Sequence, residues 1–149
     1  MANYYCKTRT NYFSVTDVEK FKEIINSCGG SDTVEIMEDD QSDGSVKYGF
    51  YCEGSIDGLP ERENDDGSSE DSDDVDYNFD AFCEALQKIL PDGDAIIITE
   101  VGSEKMRYLT AYSIIITSSE VKSIDLGREA AKLAAGMLQN PEFTTKMEY

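Results

Sequence analysis

The strongest restriction on the fold is a long central stretch without apolar periodicity, residues 54–77. Ten carboxylates and one arginine fall between Glu61 and Asp80, so these residues carry a net charge of −9. A segment with so few apolar side chains cannot bury enough surface to offset the entropy of ordering it. We therefore predict that 54–77 is an acidic, mobile loop and that the core forms from the elements on either side.

Three strands and one helix are predicted before this loop. Residues 3–9 favour a strand, because polar residues separate their apolar ones. Thr16-Asp17-Val18-Glu19 is a capping-box pattern with Thr16 as the N-cap, and Gly29-Gly30 would end the helix that follows. Residues 33–38 and 45–53 each alternate at period two, and Asp43-Gly44 between them is a turn signal, so we predict a hairpin. The first helix is expected to bury Val18, Phe21, Ile24, Ile25 and Cys28.

The second half of the chain predicts two more helices and up to three strands. Asn78 can cap a helix that ends at Pro91-Asp92-Gly93. The unbroken apolar run 95–98 suits a central strand. Gly102-Ser103 is expected to turn the chain into a long strand over 105–117, with a short strand at 121–124 after it. Asp125 can cap a third helix whose apolar stripe is Leu126, Ala130, Leu133, Ala134, Met137 and Leu138.

The predicted order is β-α-β-β-(acidic loop)-α-β-β-α. Its first six elements match a ferredoxin-like βαββαβ sandwich, and the last strand and helix extend it. We therefore expect a single α+β domain over residues 1–149, with a C-terminal β-α extension and a long acidic loop. This order does not by itself imply a function.

The negative charge is concentrated in one part of the chain. The 149 residues contain 31 acidic and 13 basic residues, a formal net charge of −18. The net charge is +1 for residues 1–30, −7 for 31–60, −9 for 61–80 and −3 for 81–149. A small domain needs a net charge of only about 2–8 in magnitude for solubility. The excess favours a basic partner and falls on the hairpin turn and the central loop.

Composition excludes several classes of function. The chain contains no histidine, so histidine-based general bases, Ser–His or Cys–His pairs and histidine metal ligands are all excluded. Few cations argue against direct binding to nucleic acid or to anionic membranes. No apolar run reaches the length of a transmembrane helix, and the N-terminus does not resemble a signal peptide. We expect a cytoplasmic protein that is not an enzyme and uses no cofactor.

The candidate cation and phosphate sites are weak. Residues 39–44 resemble the opening of a calcium loop, but Phe50 stands where an EF-hand needs a bidentate glutamate, and strands flank the segment. No phosphate-binding glycine motif is present. The four cysteines are widely spaced on apolar positions, which predicts buried free thiols.

Nine tyrosines leave two interpretations open. Neighbours on a strand, such as Tyr4 and Tyr5 or Phe50 and Tyr51, must point to opposite faces. Some of these rings are therefore exposed beside carboxylates, a frequent interface composition, unless the third helix covers the second face of the sheet.

Two stretches of the sequence resemble segments of known proteins. Residues 4–13, Tyr-Tyr-Cys-Lys-Thr-Arg-Thr-Asn-Tyr-Phe, are followed by Val15-Thr16-Asp17, and the second stretch is Ser123-Ile124-Asp125-Leu126. They are similar to small uncharacterised acidic proteins carried by mobile elements of Gram-positive gut bacteria. The resemblance implies a role in plasmid, phage or conjugative-element biology, where small acidic proteins include DNA-mimicking anti-restriction and anti-CRISPR inhibitors.

Charge and resemblance together favour a non-enzymatic inhibitor that binds the basic nucleic-acid channel of a host defence nuclease. Carboxylates would steer the encounter, and exposed tyrosines would anchor the complex. The expected contact residues are Asp39, Asp40, Asp43, Glu61, Glu63, Asp65, Asp66, Glu70, Asp71, Asp73, Asp74, Asp76, Tyr51 and Tyr77. The alternative is a general protein-binding or accessory domain whose acidic loop is only solvated.

Overall fold

The computed structural model describes residues 4–61, 76–104 and 108–145. Within these residues the fold is α+β, with three helices and a six-stranded antiparallel sheet of strand order β3-β4-β1-β7-β8-β9. The strands of this sheet are β1 (Tyr4–Thr10), β3 (Val34–Asp40), β4 (Val46–Cys52), β7 (Ile96–Glu104), β8 (Tyr108–Ile116) and β9 (Val121–Asp125). The helices are α1 (Val18–Ser27), α2 (Phe79–Lys88) and α3 (Leu126–Leu138).

One face of the sheet carries the core, as the period-two pattern predicts. Residues directly opposite each other on neighbouring strands share a face, so Thr8, Cys52 and Val34 point the same way. Four phenylalanines form the centre of the core, with edge-to-face rings such as Phe13 on Phe21 and Phe50 on Phe82. The predicted apolar stripes of α1 and α2 supply Phe21, Ile24, Ile25, Phe82, Cys83 and Leu86 to it.

The predicted cap of α1 is wrong by one residue. Asp17, not Thr16, is the N-cap, and its carboxylate accepts a hydrogen bond from the Lys20 N–H at 3.1 Å. The Thr16 N–H instead donates to the Ile89 carbonyl at 2.7 Å. This bond ties the start of α1 to the end of α2. The other two predicted caps are confirmed, because Asn78 accepts from the Ala81 N–H and Asp125 accepts from the Arg128 N–H.

The prediction that 54–77 is one continuous loop is wrong at both ends. Three short strands, β2 (Gly29–Gly30), β5 (Ile56–Pro60) and β6 (Tyr77–Asn78), form a second sheet of order β2-β5-β6. Gly58 has φ of 116°, and a side chain there would collide with the backbone of Asn78. Glycine therefore allows β5 to approach β6 closely. Only residues 62–75 of the expected loop lie outside the described residues.

The turn expected at Gly102-Ser103 is also absent from that position. Both residues belong to β7 and pair with Thr110 and Leu109 of β8. Residues 105–107, which connect the two strands, lie outside the described residues. The apolar run 95–98 does belong to an interior strand, because β7 lies between β1 and β8.

At β1 and β7, α3 does not cover the second face of the sheet. No residue of this helix is buried, and Tyr5, Ile97 and Val101 on that face of the sheet are exposed. The sheet thus has one face in the core and one open face, as antiparallel sheets commonly do.

Candidate functional site

The most acidic described surface is the outer edge of the large sheet. β3 is the terminal strand, and no strand in the described part of the chain pairs with its outer side. Glu35, Glu38, Asp39 and Asp40 are all exposed along it. Lys47, opposite Asp39 on β4, is the one basic residue from 31 to 60. We call the side chains of Glu35, Glu38, Asp39 and Asp40 the acidic edge.

The hairpin turn fixes the carboxylate of Asp43 beyond the end of the acidic edge. Asp43 Oδ1 accepts hydrogen bonds from the Ser45 hydroxyl at 2.6 Å and the Ser45 N–H at 2.9 Å. These two bonds lower the pKa of Asp43, the hydroxyl bond contributing most. Gly44, with φ of 90°, makes the turn possible. Asp43 is therefore a positioned negative charge at neutral pH.

Asp39 is also held in place. Gln41 Nε2 donates to Asp39 Oδ2 at 3.0 Å, and the Gln41 N–H donates to the Ser45 carbonyl at 2.8 Å. The predicted contact residues Asp39, Asp40 and Asp43 thus lie together on one hairpin.

The second predicted cluster is described only at its base. The Glu61 N–H donates to the Asp76 carbonyl at 2.7 Å, so the two ends of segment 62–75 are hydrogen-bonded neighbours. Asn78 Nδ2 donates to Glu61 Oε1 at 3.1 Å. Glu61 and Asp76 are both exposed. The other predicted carboxylates lie outside the described residues, namely Glu63, Asp65, Asp66, Glu70, Asp71, Asp73 and Asp74.

The fold does not join the two acidic clusters on one strand. The hairpin turn precedes β4, whereas β5 and Glu61 follow its other end. The seven residues of β4 span roughly 20 Å. In chain order, the two clusters are therefore separated by β4 and β5.

The two predicted tyrosines are partly exposed. Tyr51 is 37% exposed and lies on the open face of the sheet, between Glu35 of β3 and Arg9 of β1. Tyr77 is 40% exposed, and its ring lies against Gly29, where a side chain would collide with it. Tyr51 borders the acidic edge, and Tyr77 borders the base of segment 62–75. Tyr48 is the only described tyrosine in the core.

One polar cluster was not predicted from the sequence. Glu100 is 7% exposed on the core face of β7. Its Oε2 accepts a hydrogen bond from the Tyr4 hydroxyl at 2.9 Å, and its Oε1 accepts one from the Tyr112 hydroxyl at 2.9 Å. Burial and the bond to Glu100 raise the pKa of Tyr112 well above its ordinary value, and burial raises that of Tyr4 to about 12. Both hydroxyls therefore keep their protons at neutral pH.

The four cysteines are free thiols, as predicted. Cys52 and Cys83 are buried, whereas Cys6 and Cys28 are half-buried. Burial raises the pKa of all four thiols, that of Cys28 and Cys83 to about 11. Thiolates are the reactive form, so these side chains are weak nucleophiles at neutral pH.

No three histidine, cysteine, aspartate or glutamate side chains among residues 4–61, 76–104 and 108–145 cluster closely enough to hold a metal ion. Within the same ranges, no helix combines the length and the apolarity needed to cross a membrane.

Comparison with known proteins gives no relative. No protein-family model, no curated protein and no solved structure matches the chain.

Proposed function

We propose that the chain is a non-enzymatic inhibitor, carried by a mobile element, that binds the basic nucleic-acid channel of a host defence nuclease. The observation that supports this most strongly is the acidic edge. Among the described residues no strand pairs with the outer side of β3. Glu35 and Asp39 point to the open face of the sheet and Glu38 and Asp40 to the core face, so a channel that encloses this edge can meet both pairs. Tyr51 lies beside this edge, where a large and partly exposed ring can anchor the contact.

The spacing of the acidic edge resembles that of a nucleic-acid strand. From Glu35 to Asp40 the backbone advances about 17 Å, at roughly 3.3 Å per residue. Four carboxylates lie within that length. One strand of duplex DNA carries one charge per 3.4 Å of helix axis. A channel lined with lysine and arginine that encloses both faces of the acidic edge would therefore meet a comparable charge density.

The hydrogen bonds of the hairpin also favour binding through fixed charges. A charge held in place loses less conformational entropy when a partner arrives than one on a free side chain. Asp39 and Asp43 are held by Gln41 and Ser45 respectively. Attraction between such charges and a basic channel speeds association and weakens as salt is added.

The arrangement of strands gives this edge its position, and we propose that it is ferredoxin-like. β1 and β3 are joined through α1, and β4 lies between them in the sheet. β4 and β7 are joined through α2, and β1 lies between them. Two such split βαβ units make up a ferredoxin-like sandwich. The second sheet and the β8-β9-α3 extension would be additions to it, and β3 would be its natural outer edge.

Charge reversal on the acidic edge tests the proposal. The variant Glu35→Lys, Glu38→Lys, Asp40→Lys changes three carboxylates that make no side-chain hydrogen bond among the described residues. We expect it to bind the nuclease at least about tenfold more weakly, because like charges then face each other across the interface. The measurement is capture from a Gram-positive host lysate at low salt on immobilised protein, with mass spectrometry of the bound fraction.

The matched control is Glu84→Lys, Glu120→Lys, Glu142→Lys, which changes the net charge equally at exposed positions outside β3 and its hairpin. Wild type and control should both retain a nucleic-acid-binding nuclease that added salt or duplex DNA releases. Equal capture by the edge variant would contradict the proposal, as would a captured protein that duplex DNA fails to displace.

A further inference from the structure

The opposite edge of the large sheet differs from the acidic edge. β9 is the other terminal strand, and no strand in the described part of the chain pairs with its outer side. All five of its residues are exposed, including Val121 and Ile124. Exposed sheet edges readily pair with a further strand unless charge or proline prevents it. β3 carries such a charge barrier, whereas β9 has one lysine and one aspartate.

The helix that follows β9 is turned with its large apolar residues outward. Its half-buried residues are mostly small, namely Gly127, Ala131, Ala134 and Ala135, with Glu129 beside them. Leu126 is 65% exposed, Leu133 70% and Met137 84%. Together with exposed Ala130, these residues recur at intervals of four, three and four, which is the spacing of a helix-helix seam. The apolar stripe predicted from the sequence is therefore present on α3, but no other described part of the chain covers its large residues.

The charge distribution indicates what can cover it. Residues 120–132 contain three acidic and three basic residues, so this surface is neutral in a chain of net charge −18. The acidic edge lies five strand spacings away, about 24 Å at roughly 4.8 Å per strand. That distance is about three Debye lengths at physiological salt. At physiological salt, a second copy of the chain would therefore be repelled much less at this surface than at the acidic edge.

We propose that a second copy of the chain binds this surface, so that two β9 strands pair antiparallel and two α3 helices pack together in a symmetric dimer. The contact is self-complementary, as a two-fold axis requires. This inference concerns self-association and does not depend on the nuclease partner.

The backbone bonds of β9 restrict the register of this pairing. The Thr117 N–H donates to the Glu120 carbonyl at 2.8 Å, closing the β8-β9 hairpin. Bonded and non-bonded pairs alternate from there, so Val121, Ser123 and Asp125 direct their N–H and C=O groups outward. A two-fold axis at Ser123 pairs these residues with one another and places Lys122 opposite Ile124. A shift of the axis to Lys122 would set two lysines face to face.

The position of α3 suits the same axis. This helix contacts both β8 and β9. A helix midway above two strands that are about 4.8 Å apart stands about 5 Å from an axis just outside β9. The two copies of α3 would then be about 10 Å apart, close to the packing distance of helices. Strand pairing and helix packing can therefore form together.

Sedimentation equilibrium, from low micromolar to millimolar concentration, tests the dimer. We expect the wild-type mass to double with concentration and the dimer to tighten with added salt, because salt screens the repulsion between two acidic chains. Leu133→Asp, Met137→Asp should weaken dimerisation more than tenfold without unfolding the monomer, because both residues are exposed. Asn26→Asp, Ser42→Asp, at exposed sites, adds the same charge and should dimerise like wild type.

Cross-linking tests the register. Residues in a hydrogen-bonded antiparallel pair have Cα atoms about 5.5 Å apart, which a disulfide can span. Ser123→Cys should therefore form a covalent dimer with oxidised glutathione, whereas Lys122→Cys, which faces Ile124, should form much less. A chain that stays monomeric at millimolar concentration and high salt would overturn the proposal. A dimer that forms as strongly after the α3 substitutions, or that cross-links equally at both positions, would contradict the assignment of the dimer contact to β9 and α3.

Discussion

At the scale of single residues, Glu100 carries the one buried carboxyl group among the described residues. A carboxyl group that is 7% exposed is costly unless it is hydrogen-bonded, and here each oxygen accepts one tyrosine hydroxyl. Tyr4, Glu100 and Tyr112 lie on β1, β7 and β8, so the cluster links three neighbouring strands. Its geometry accounts for stability and for the choice of one register, and no contact with a partner is needed to explain it.

Tyr112→Phe should lower the free energy of unfolding by about 1–2 kcal/mol, because it removes one of the two donors to a buried carboxyl group. The dependence of stability on pH should also change. Tyr112 keeps its proton in the folded protein above the usual tyrosine pKa of about 10, whereas the unfolded chain ionises there. The wild-type protein therefore loses stability as the pH rises above 10, and Tyr112→Phe should lose less over that interval. Urea unfolding at pH 7 and at alkaline pH measures both effects.

Tyr51→Phe is the control for this substitution. The Tyr51 ring is partly exposed on the open face, and its hydroxyl group makes no hydrogen bond among the described residues. Removal of this hydroxyl group should therefore change the free energy of unfolding by less than about 0.5 kcal/mol. If Tyr112→Phe were equally neutral, the bond to Glu100 would contribute nothing to the fold.

The sequence did hold a signal for Glu100. It follows Ile96 and Ile98 at period two on a strand predicted to be central, so its side chain had to share their buried face. The partners were not predictable, because the pairing of Tyr112 with Glu100 depends on a register that the misplaced turn at Gly102-Ser103 obscured.

At the scale of elements, local chemistry predicted the helices and the hairpin well. Periodicity located α1, α2 and α3, and the turn signal at Asp43-Gly44 located the β3-β4 hairpin. β2, β5 and β6 were not predicted. Two of them have only two residues, too few for any periodicity. Their packing requires Gly29, which leaves room for the Tyr77 ring, and Gly58, which leaves room for the Asn78 backbone. The exposure of α3 was equally unpredictable, because a stripe shows which residues avoid water but not what covers them.

At the start of α1, the neighbouring residues Thr16 and Asp17 have different roles. Asp17→Ala should destabilise the protein by about 0.5–2 kcal/mol, because the Lys20 N–H then loses its acceptor. Thr16→Ala should cost less, because Thr16 contributes its backbone N–H to Ile89, and alanine retains that group. Chemical denaturation of both variants distinguishes them. If Thr16→Ala destabilised the protein more than Asp17→Ala, the N-cap would be Thr16.

At the scale of the whole molecule, the negative charge is distributed unevenly across the sheet. Sequence position alone located it, since residues 31–80 carry −16 of the net −18. The fold adds that residues 34–40 form one outer edge of the sheet while the neutral segment 121–125 forms the other. Salt should therefore act in opposite directions on the two proposed contacts, weakening nuclease binding and strengthening the dimer.

Deletion of residues 62–75 tests whether the central acidic segment takes part in binding. The Glu61 N–H and the Asp76 carbonyl are 2.7 Å apart, so a short Asn-Gly turn can rejoin the chain, and we expect the fold to be retained. The deletion removes seven carboxylates and one arginine. Affinity for the captured nuclease should fall, and so should its salt dependence. Urea unfolding checks the fold, and titration at several salt concentrations measures the affinity.

A full-length control separates charge from chain length. It replaces the seven carboxylates of 62–75 with the matching amides, so that only the charge is lost. If the deletion and the amide variant weaken binding equally, the charge of this segment contributes directly to the contact. If neither variant changes the affinity, the segment is a solvated connection, as the accessory-domain hypothesis holds. The acidic edge and the hairpin turn would then have to account for the binding alone, because Asp39, Asp40 and Asp43 remain intact in both variants.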